Sequence, residues 1–250
     1  MLIKRKNDNT ITKIISGCHS DRGPVRRKNQ DRVFCQSSDR KHRFFSCACV
    51  CDGIGSLANS EIAAEMMTNG ISLWYSGMLD RVSGMSVEDI LEDLEATILE
   101  LNEIIWEKRQ NKEDIGCTMS LMMLIDNSYY IFHAGDSSIY CIRENLYRLT
   151  PEEVTVRVKD GMVKKYLANY VGKDQQLWLN KGNGDIEKND IYMLGSDGFC
   201  EYTEYRDYDD NRRELLSERR IEKLCAELVQ NAISRGSSDN VTCALLYAAD

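Results

Sequence analysis

No apolar stretch in this 250-residue chain is long enough to cross a membrane. The basic start, Met1-Leu2-Ile3-Lys4-Arg5-Lys6, is not followed by an apolar core segment, so no signal peptide is expected. No C-x-x-C pair occurs among the ten cysteines, and His19, His42 and His133 are the only histidines, which leaves zinc without a ligand set. The chain is not small and lacks an export signal, so its cysteines do not read as a disulfide framework. Cys47, Cys49 and Cys51 alternate; in a strand they share one face, read as a small buried face rather than a metal site. These absences place the protein in a reducing cytoplasm.

Positive charge is also short. The net charge is −8, which disfavours nucleic-acid partners. A protein of this charge that acts on an anion needs a local positive source, and bound metal ions supply one. The G-x-x-x-x-G-K-[ST] phosphate loop is missing, which removes support for a nucleotide-driven kinase or ATPase. With 42% hydrophobic and 29% charged residues the chain is not disordered, and its length fits one domain over residues 1–250.

What is present reads as strands interrupted by two helical blocks. Strands are expected at 11–18, 32–36, 44–51, 117–125, 129–134, 138–143, 146–149, 190–195 and 241–248. The run 44–51, FFSCACVC, is apolar throughout, as in a strand covered on both faces. Asp126-Asn127-Ser128 reads as a hairpin turn. A helix is expected from about Ser60. A second carries Val87, Leu91, Leu94, Ile98, Leu101 and Ile105 on one stripe, with Ser86 and Asp89 as a capping pair. A third is expected over 213–233. Residues 150–189 are more polar and less regular. The order is not a βαβ alternation, so packed sheets with helices outside fit better than a doubly wound sheet.

The acids carry the chemistry. Asp52, Asp136 and Asp197 each follow an expected strand, and Asp239 precedes one. Carboxylates gathered at strand ends are costly unless cations compensate them. Oxygen ligands without bases point to hard divalent ions such as Mg²⁺ or Mn²⁺. Taken singly, each Asp-Gly or Gly-Asp pair reads as a turn. Asp207, Asp209, Asn211 and Glu218 match calcium-loop spacing, but Arg212 occupies the position that requires glycine, so they read as a solvated acidic loop.

Several segments, in order, resemble one family. Cys18–Asp31 (CHSDRGPVRRKNQD) resembles D-x-G-x-x-R-x-x-N-E-D, and Val50–Ala63 (VCDGIGSLANSEIA) resembles V-x-D-G-x-G-G…E-x-A. Gly116-Cys117-Thr118 resembles G-[ST]-T, Ala134–Tyr140 (AGDSSIY) resembles G-D-S-R-x-Y, and Leu149-Thr150 an L-T pair. Leu194–Phe199 (LGSDGF) and Ser238–Thr242 (SDNVT) resemble L-x-S-D-G-[LF] and S-D-N-[IV]-T. The set is similar to the PPM, or type 2C, family of metal-dependent serine/threonine protein phosphatases.

The resemblance implies an α+β fold: a four-layer α-β-β-α sandwich, two antiparallel sheets between pairs of helices. It implies two Mn²⁺ or Mg²⁺ ions and a third, weaker one. Asp52 would bridge two metals, the Gly53 carbonyl would bind one of them, and Asp197 and Asp239 would complete the other. Asp136 would help hold the third. Arg26 would grip the phosphoryl group, with Asn29, Gln30, Asp31 and Asn240 as supporting residues. A metal-bridging hydroxide would attack phosphorus in line, and no side chain would become phosphorylated. The implied partners are a phosphorylated protein and a cognate serine/threonine kinase, with a monomeric enzyme, no nucleic acid and no membrane.

Four positions depart from the family pattern. Ile54 stands where many eukaryotic members carry a histidine. Gln30 stands for glutamate, which predicts weaker metal affinity. Ser56 replaces a glycine, and Ser138 an arginine. Residues 150–189 correspond to the flap beside the substrate cleft. The alternatives are a non-catalytic module that binds a phosphoprotein or acts as a scaffold, and a phosphatase for small phosphate esters.

Overall fold

The structure is a computed structural model and describes residues 11–40, 43–159, 162–209 and 217–249. Twelve strands appear among these residues: β1 (Lys13–Asp21), β2 (Arg32–Arg40), β3 (Arg43–Cys51), β4 (Met119–Ile125), β5 (Ser128–Ala134), β6 (Ser138–Ile142), β7 (Leu146–Arg148), β8 (Val154–Lys159), β9 (Met162–Leu167), β10 (Asn180–Asp185), β11 (Ile191–Gly195) and β12 (Val241–Ala249). The long helices are α1 (Ser60–Met78) and α2 (Val87–Gln110); after the short α3 (Asp197–Cys200) and α4 (Arg206–Asp209) comes α5 (Glu218–Ser234).

The strands form two five-stranded antiparallel sheets, ordered β1-β12-β11-β6-β7 and β10-β5-β4-β3-β2. Alternation along each strand builds three cores. Ala48 and Val50 of β3 turn inward to meet Leu194, Ala244 and Leu246 of the other sheet. Cys47, Cys49 and Cys51 turn outward beneath α1 and α2, packing with Met67, Ile71 and Leu94. On the far side Met193, Cys243 and Leu245 pack beneath Ile221, Leu224 and Leu228 of α5. Both faces of the central strands are thus covered, which explains their unbroken apolar runs. Each fully buried Leu, Ile or Met contributes about 1.5–3 kcal/mol of transfer free energy.

Local signals account for the element ends. Ser86 Oγ accepts from the Asp89 N–H at 3.0 Å and starts α2. Asp126, at φ 54°, makes the two-residue turn that pairs Ile125 with Ser128.

The expectations hold in outline and differ in detail. Over the first sheet the outer layer holds, among the described residues, α5 with the short α3 and α4. The described part of the third helix begins at Glu218, and residues 213–216 of the expected 213–233 span lie outside the described residues. In α2 the buried stripe is Ile90, Leu94, Ile98, Asn102 and Ile105: Leu94, Ile98 and Ile105 fall as expected, Val87, Leu91 and Leu101 pack half-buried against the same core, and Ile90 and Asn102 lie outside the expected line. Asn102 is buried because it accepts from the Gly172 N–H at 2.8 Å and donates to the Asp174 and Gln175 carbonyls. Residues 150–189 hold the β8–β9 hairpin and β10, which completes the edge of the second sheet. Asp207 is not solvated as expected: it lies in α4, its side chain is 7% exposed and it pairs with Arg235 at 2.6 Å, while Asn211 lies outside the described residues.

Candidate active site

The register brings the four aspartates to one end of the sandwich. In the second sheet Ser120 pairs with Val50 and Met119 with Ala134, so the ends of β3 and β5 and the start of β4 coincide. In the first sheet Gly195 pairs with Ser138 and Cys243, and Asp21 with Val241. The three residues 135–137 step between the sheets at that end. Asp52, Asp136, Asp197 and Asp239 therefore converge on a cleft of about 130 Å³, with Arg26, Gln30, Gly53 and Asn240 also in its lining.

Local hydrogen bonds hold the main chain of Asp52 and the carboxylates of Asp197 and Asp239. The Asp52 N–H donates to Thr118 Oγ1 at 3.0 Å, and the Asp52 carbonyl accepts from the Thr118 N–H at 2.8 Å. Thr118 Oγ1 in turn lies 2.6 Å from Ser137 Oγ. Asp197 opens α3 and accepts from the Gly198 N–H at 2.6 Å. Asp239 accepts from the Asn240 N–H at 2.7 Å and from Arg26 Nη2 at 2.5 Å.

Asn240 and Asn29 tie the N-terminal loop to this end. Asn240 Oδ1 accepts from the Gln30 N–H at 2.9 Å, and its Nδ2 donates to the Arg22 and Lys28 carbonyls. Asn29 donates to Ser20 Oγ at 2.8 Å and accepts from the Asp31 N–H at 3.1 Å. Gln30 Nε2 donates to Ser60 Oγ at 2.5 Å, with Leu57 O at 3.4 Å and Glu61 Oε2 at 3.5 Å. Gly55 leaves room for Arg26, whose Nη1 would lie 3.1 Å from a Cβ there.

The electrostatics are those of crowded acids. Burial first, then the charges of Asp31, Asp197, Asp136 and Asp239, push Asp52 well above the ordinary carboxylate range. Burial and then Asp239 raise Asp197. Burial raises Asp136 to about 6, with Asp197 adding. Asp31 is buried and also raised to about 6 by burial. Thr242, Ser196 and Asp52 lie close enough to offset part of that cost, yet neither carboxylate oxygen of Asp31 has a hydrogen-bond partner among the described residues. Arg26 is the one basic residue among the described residues that line the cleft. Its hydrogen bond to Asp239 is the largest cause of its raised pKa.

This donor set fits hard divalent cations. It offers carboxylates and a peptide carbonyl, an excess of acid over base, and an orphaned buried carboxylate at Asp31. Among the described residues no group of three His, Cys, Asp or Glu side chains is arranged to hold an ion unaided. Ions at this cleft would complete their shells with the Gly53 carbonyl and water, as magnesium-type ions do.

All the site residues expected from the sequence lie at this end, with Asn29 and Asp31 behind the cleft rather than on its wall. Ser138 Oγ donates to the Asp136 carbonyl at 3.2 Å, a local turn contact in place of the pattern's arginine. Sequence reasoning missed Ser137 and the flap residue Leu167, which lines the cleft. Ser137 lies in the AGDSSIY block, where the resemblance gives it no role, and Leu167 belongs to no motif block.

Comparisons with known proteins bear on the chain's family and fold. Residues 24–156, just over half of the chain, match the family described as Protein phosphatase 2C. The chain is 26% identical over 251 residues to protein phosphatase PhpP of Streptococcus pneumoniae, covering 91% of this chain and 94% of that one. The S. agalactiae serine/threonine phosphatase structure superposes with a TM-score of 0.73 at 20% identity, over 94% of this chain and 99% of that one. The catalytic domain of PstP, solved in complex with two manganese ions, gives a TM-score of 0.70 at 21% identity, over 95% and 99% of the two chains.

Proposed function

The chain belongs to the protein phosphatase 2C family of metal-dependent serine/threonine protein phosphatases, and from that premise we propose how its own residues perform the hydrolysis. Asp52, Asp136, Asp197 and Asp239, with the Gly53 carbonyl, hold two Mn²⁺ or Mg²⁺ ions and a third, weaker one. When bound, such ions neutralise the phosphoryl oxygens and lower the pKa of the attacking water.

The protein's own work is positioning and charge. Arg26 leaves Asp239 to take two phosphoryl oxygens with its planar fork, stabilising charge that grows in the transition state. Its side chain is 41% exposed, so this exchange is cheap. Thr118 fixes the Asp52 main chain from both sides. Asn240 and Asn29 hold the Arg22–Gln30 loop that carries Arg26. Ile54, in the cleft wall, carries no proton to give the leaving seryl or threonyl oxygen, so protonation falls to solvent at the site. No side chain is phosphorylated.

The observation that carries this reading is the convergence of four carboxylates and one arginine in a single cleft. The same convergence leaves the non-catalytic alternative without support. We further propose a monomer working in the cytoplasm on proteins phosphorylated by a cognate serine/threonine kinase. Ten free cysteines fit a reducing compartment, and among the described residues no helix is long and apolar enough to cross a membrane.

The test is hydrolysis of a phosphothreonine peptide with Mn²⁺, Mg²⁺ or EDTA, comparing the wild type with Asp197→Asn. Metal-dependent phosphate release, abolished by EDTA and by the substitution, is expected. Absence of release from folded wild type at millimolar metal would overturn the assignment.

A further inference from the structure

Glu153 lies between the Leu149–Thr150 pair and β8, in no motif. Its carboxylate nevertheless gathers three N–H donors from three segments. Oε2 accepts from the Gly135 N–H at 2.9 Å and from Asn169 Nδ2 at 2.8 Å; Oε1 accepts from Asn180 Nδ2 at 2.7 Å. Its main chain repeats the same connections. The Glu153 N–H donates to the Gly135 carbonyl at 3.0 Å, and the Glu153 carbonyl accepts from the Ala168 N–H at 2.8 Å.

Those segments are the turn that carries Asp136, the base of the β8–β9 hairpin, and the start of β10. Ala168 directly follows Leu167, which lines the cleft. Gly135, at φ +119°, is pressed on Thr118, where a Cβ would lie 2.7 Å from that side chain. Thr118 bonds to the Asp52 N–H. Behind the turn, His133 Nε2 lies 3.0 Å from the Gly135 carbonyl, and Ser120 Oγ donates to the Ser137 carbonyl at 3.0 Å. The Gly135 and Ser137 carbonyls on either side of Asp136 are thus held, and Glu153 links that turn to the flap alongside the His133 Nε2 contact with the Pro151 carbonyl at 3.1 Å.

We propose that Glu153 is a positioning residue that clamps the Asp136 turn to the base of the flap hairpin and so sets how tightly the Asp136 side of the cleft holds metal. This rests on the metal-dependent phosphatase reading. A carboxylate suits the role because it accepts on both oxygens and donates nothing. Glutamine keeps most of the clamp: one oxygen still serves Gly135 and Asn169, and its amide can donate to Asn180 once that amide turns over. Alanine removes all three bonds.

The experiment compares wild type, Glu153→Ala, Glu153→Gln and Asn169→Ala by two readouts. One is hydrogen exchange of the Gly135 amide in metal-free protein; the other is the Mn²⁺ concentration giving half-maximal phosphopeptide hydrolysis. Losing a hydrogen bond to a charged acceptor predicts about tenfold faster exchange and about tenfold more Mn²⁺ for Glu153→Ala. The deficit should narrow as Mn²⁺ rises. Glu153→Gln should stay within about threefold of wild type, and Asn169→Ala should fall between.

Glu153→Gln as defective as Glu153→Ala would overturn the clamp in favour of a requirement for the charge itself. An unchanged Mn²⁺ titration in Glu153→Ala would overturn it too. If Glu153→Ala does not fold, wild-type values for Asn169→Ala in both readouts would do the same. Gly135 exchange needs no metal and no turnover, so it reports on the clamp even if wild type proves inactive and the functional reading fails.

Discussion

Arg26 Nη2 lies 2.5 Å from Asp239 Oδ2, so the one basic side chain among the described residues of the cleft wall is held by one of its four carboxylates. The pair is about a third or more exposed on both sides, and such pairs contribute little to stability. Removing Arg26 should therefore separate activity from folding. Arg26→Ala is expected to lower kcat/KM for a phosphopeptide by about 10²-fold while leaving the melting temperature nearly unchanged. Arg26→Lys should recover little, because an ammonium cannot present two parallel donors. Steady-state kinetics at saturating Mn²⁺ decides the matter; a loss under about twofold would remove Arg26 from substrate binding.

The buried acids predict an unusual pH dependence of stability. Asp31 and Asp136 have folded-state pKa values of about 6, above the ordinary 3.8. Between those values the folded chain binds more protons than the unfolded chain, so stability falls as pH rises through the interval. The penalty is complete above about 6 and absent below 3.8. In EDTA the melting temperature should rise on going from about pH 7.5 to about pH 5.5, with Asp31 alone worth on the order of 1 kcal/mol over that range. Asp31→Asn cannot ionise and should flatten the profile. Parallel wild-type and Asp31→Asn curves would refute this account.

Gln30 predicts a trade between metal affinity and stability. Its amide donates to Ser60 Oγ and faces the Leu57 carbonyl, with Glu61 Oε2 3.5 Å away. Glutamate here would add charge toward the metals but would face that carbonyl and that carboxylate without a proton. Gln30→Glu should lower the Mn²⁺ concentration for half activity several-fold, and should destabilise the metal-free protein by about 1 kcal/mol. Metal titration and thermal unfolding in EDTA test the two halves separately, and an unchanged titration would remove Gln30 from the metal's surroundings.

The sequence made the central strands legible because both of their faces are buried, and the site legible because each aspartate sits at a strand end beside a glycine or serine. β10 was not legible. Its sequence, NKGNGD, has no β-branched or aromatic residue and reads as a turn, yet it pairs with β5 from Asn180↔His133 to Asp185↔Ser128. Its place is set by partner strand and register, which local propensity does not contain. Asn102 in α2 was not legible for a similar reason: a polar residue in the buried stripe is explained by the Gly172 N–H, 70 residues away in sequence. Glu153 was invisible because its three partners come from distant segments.

Two glycines give the same substitution opposite signs. Gly23 has φ +72°, and a Cβ there would lie 2.0 Å from the Asp239 carbonyl oxygen. Alanine must both strain the backbone and push the Asp239 main chain away from the loop that carries Arg26. At Gly77, inside α1, a Cβ would meet nothing within 4 Å. Alanine there only removes the conformational cost of glycine in a helix. Gly23→Ala should therefore destabilise by more than about 2 kcal/mol and raise the Mn²⁺ requirement. Gly77→Ala should stabilise by about 0.5–1 kcal/mol and leave the requirement unchanged. Urea unfolding with parallel Mn²⁺ titrations measures both; a Gly23→Ala protein as stable as wild type would mean that the loop is not held against Asp239 as the structure shows.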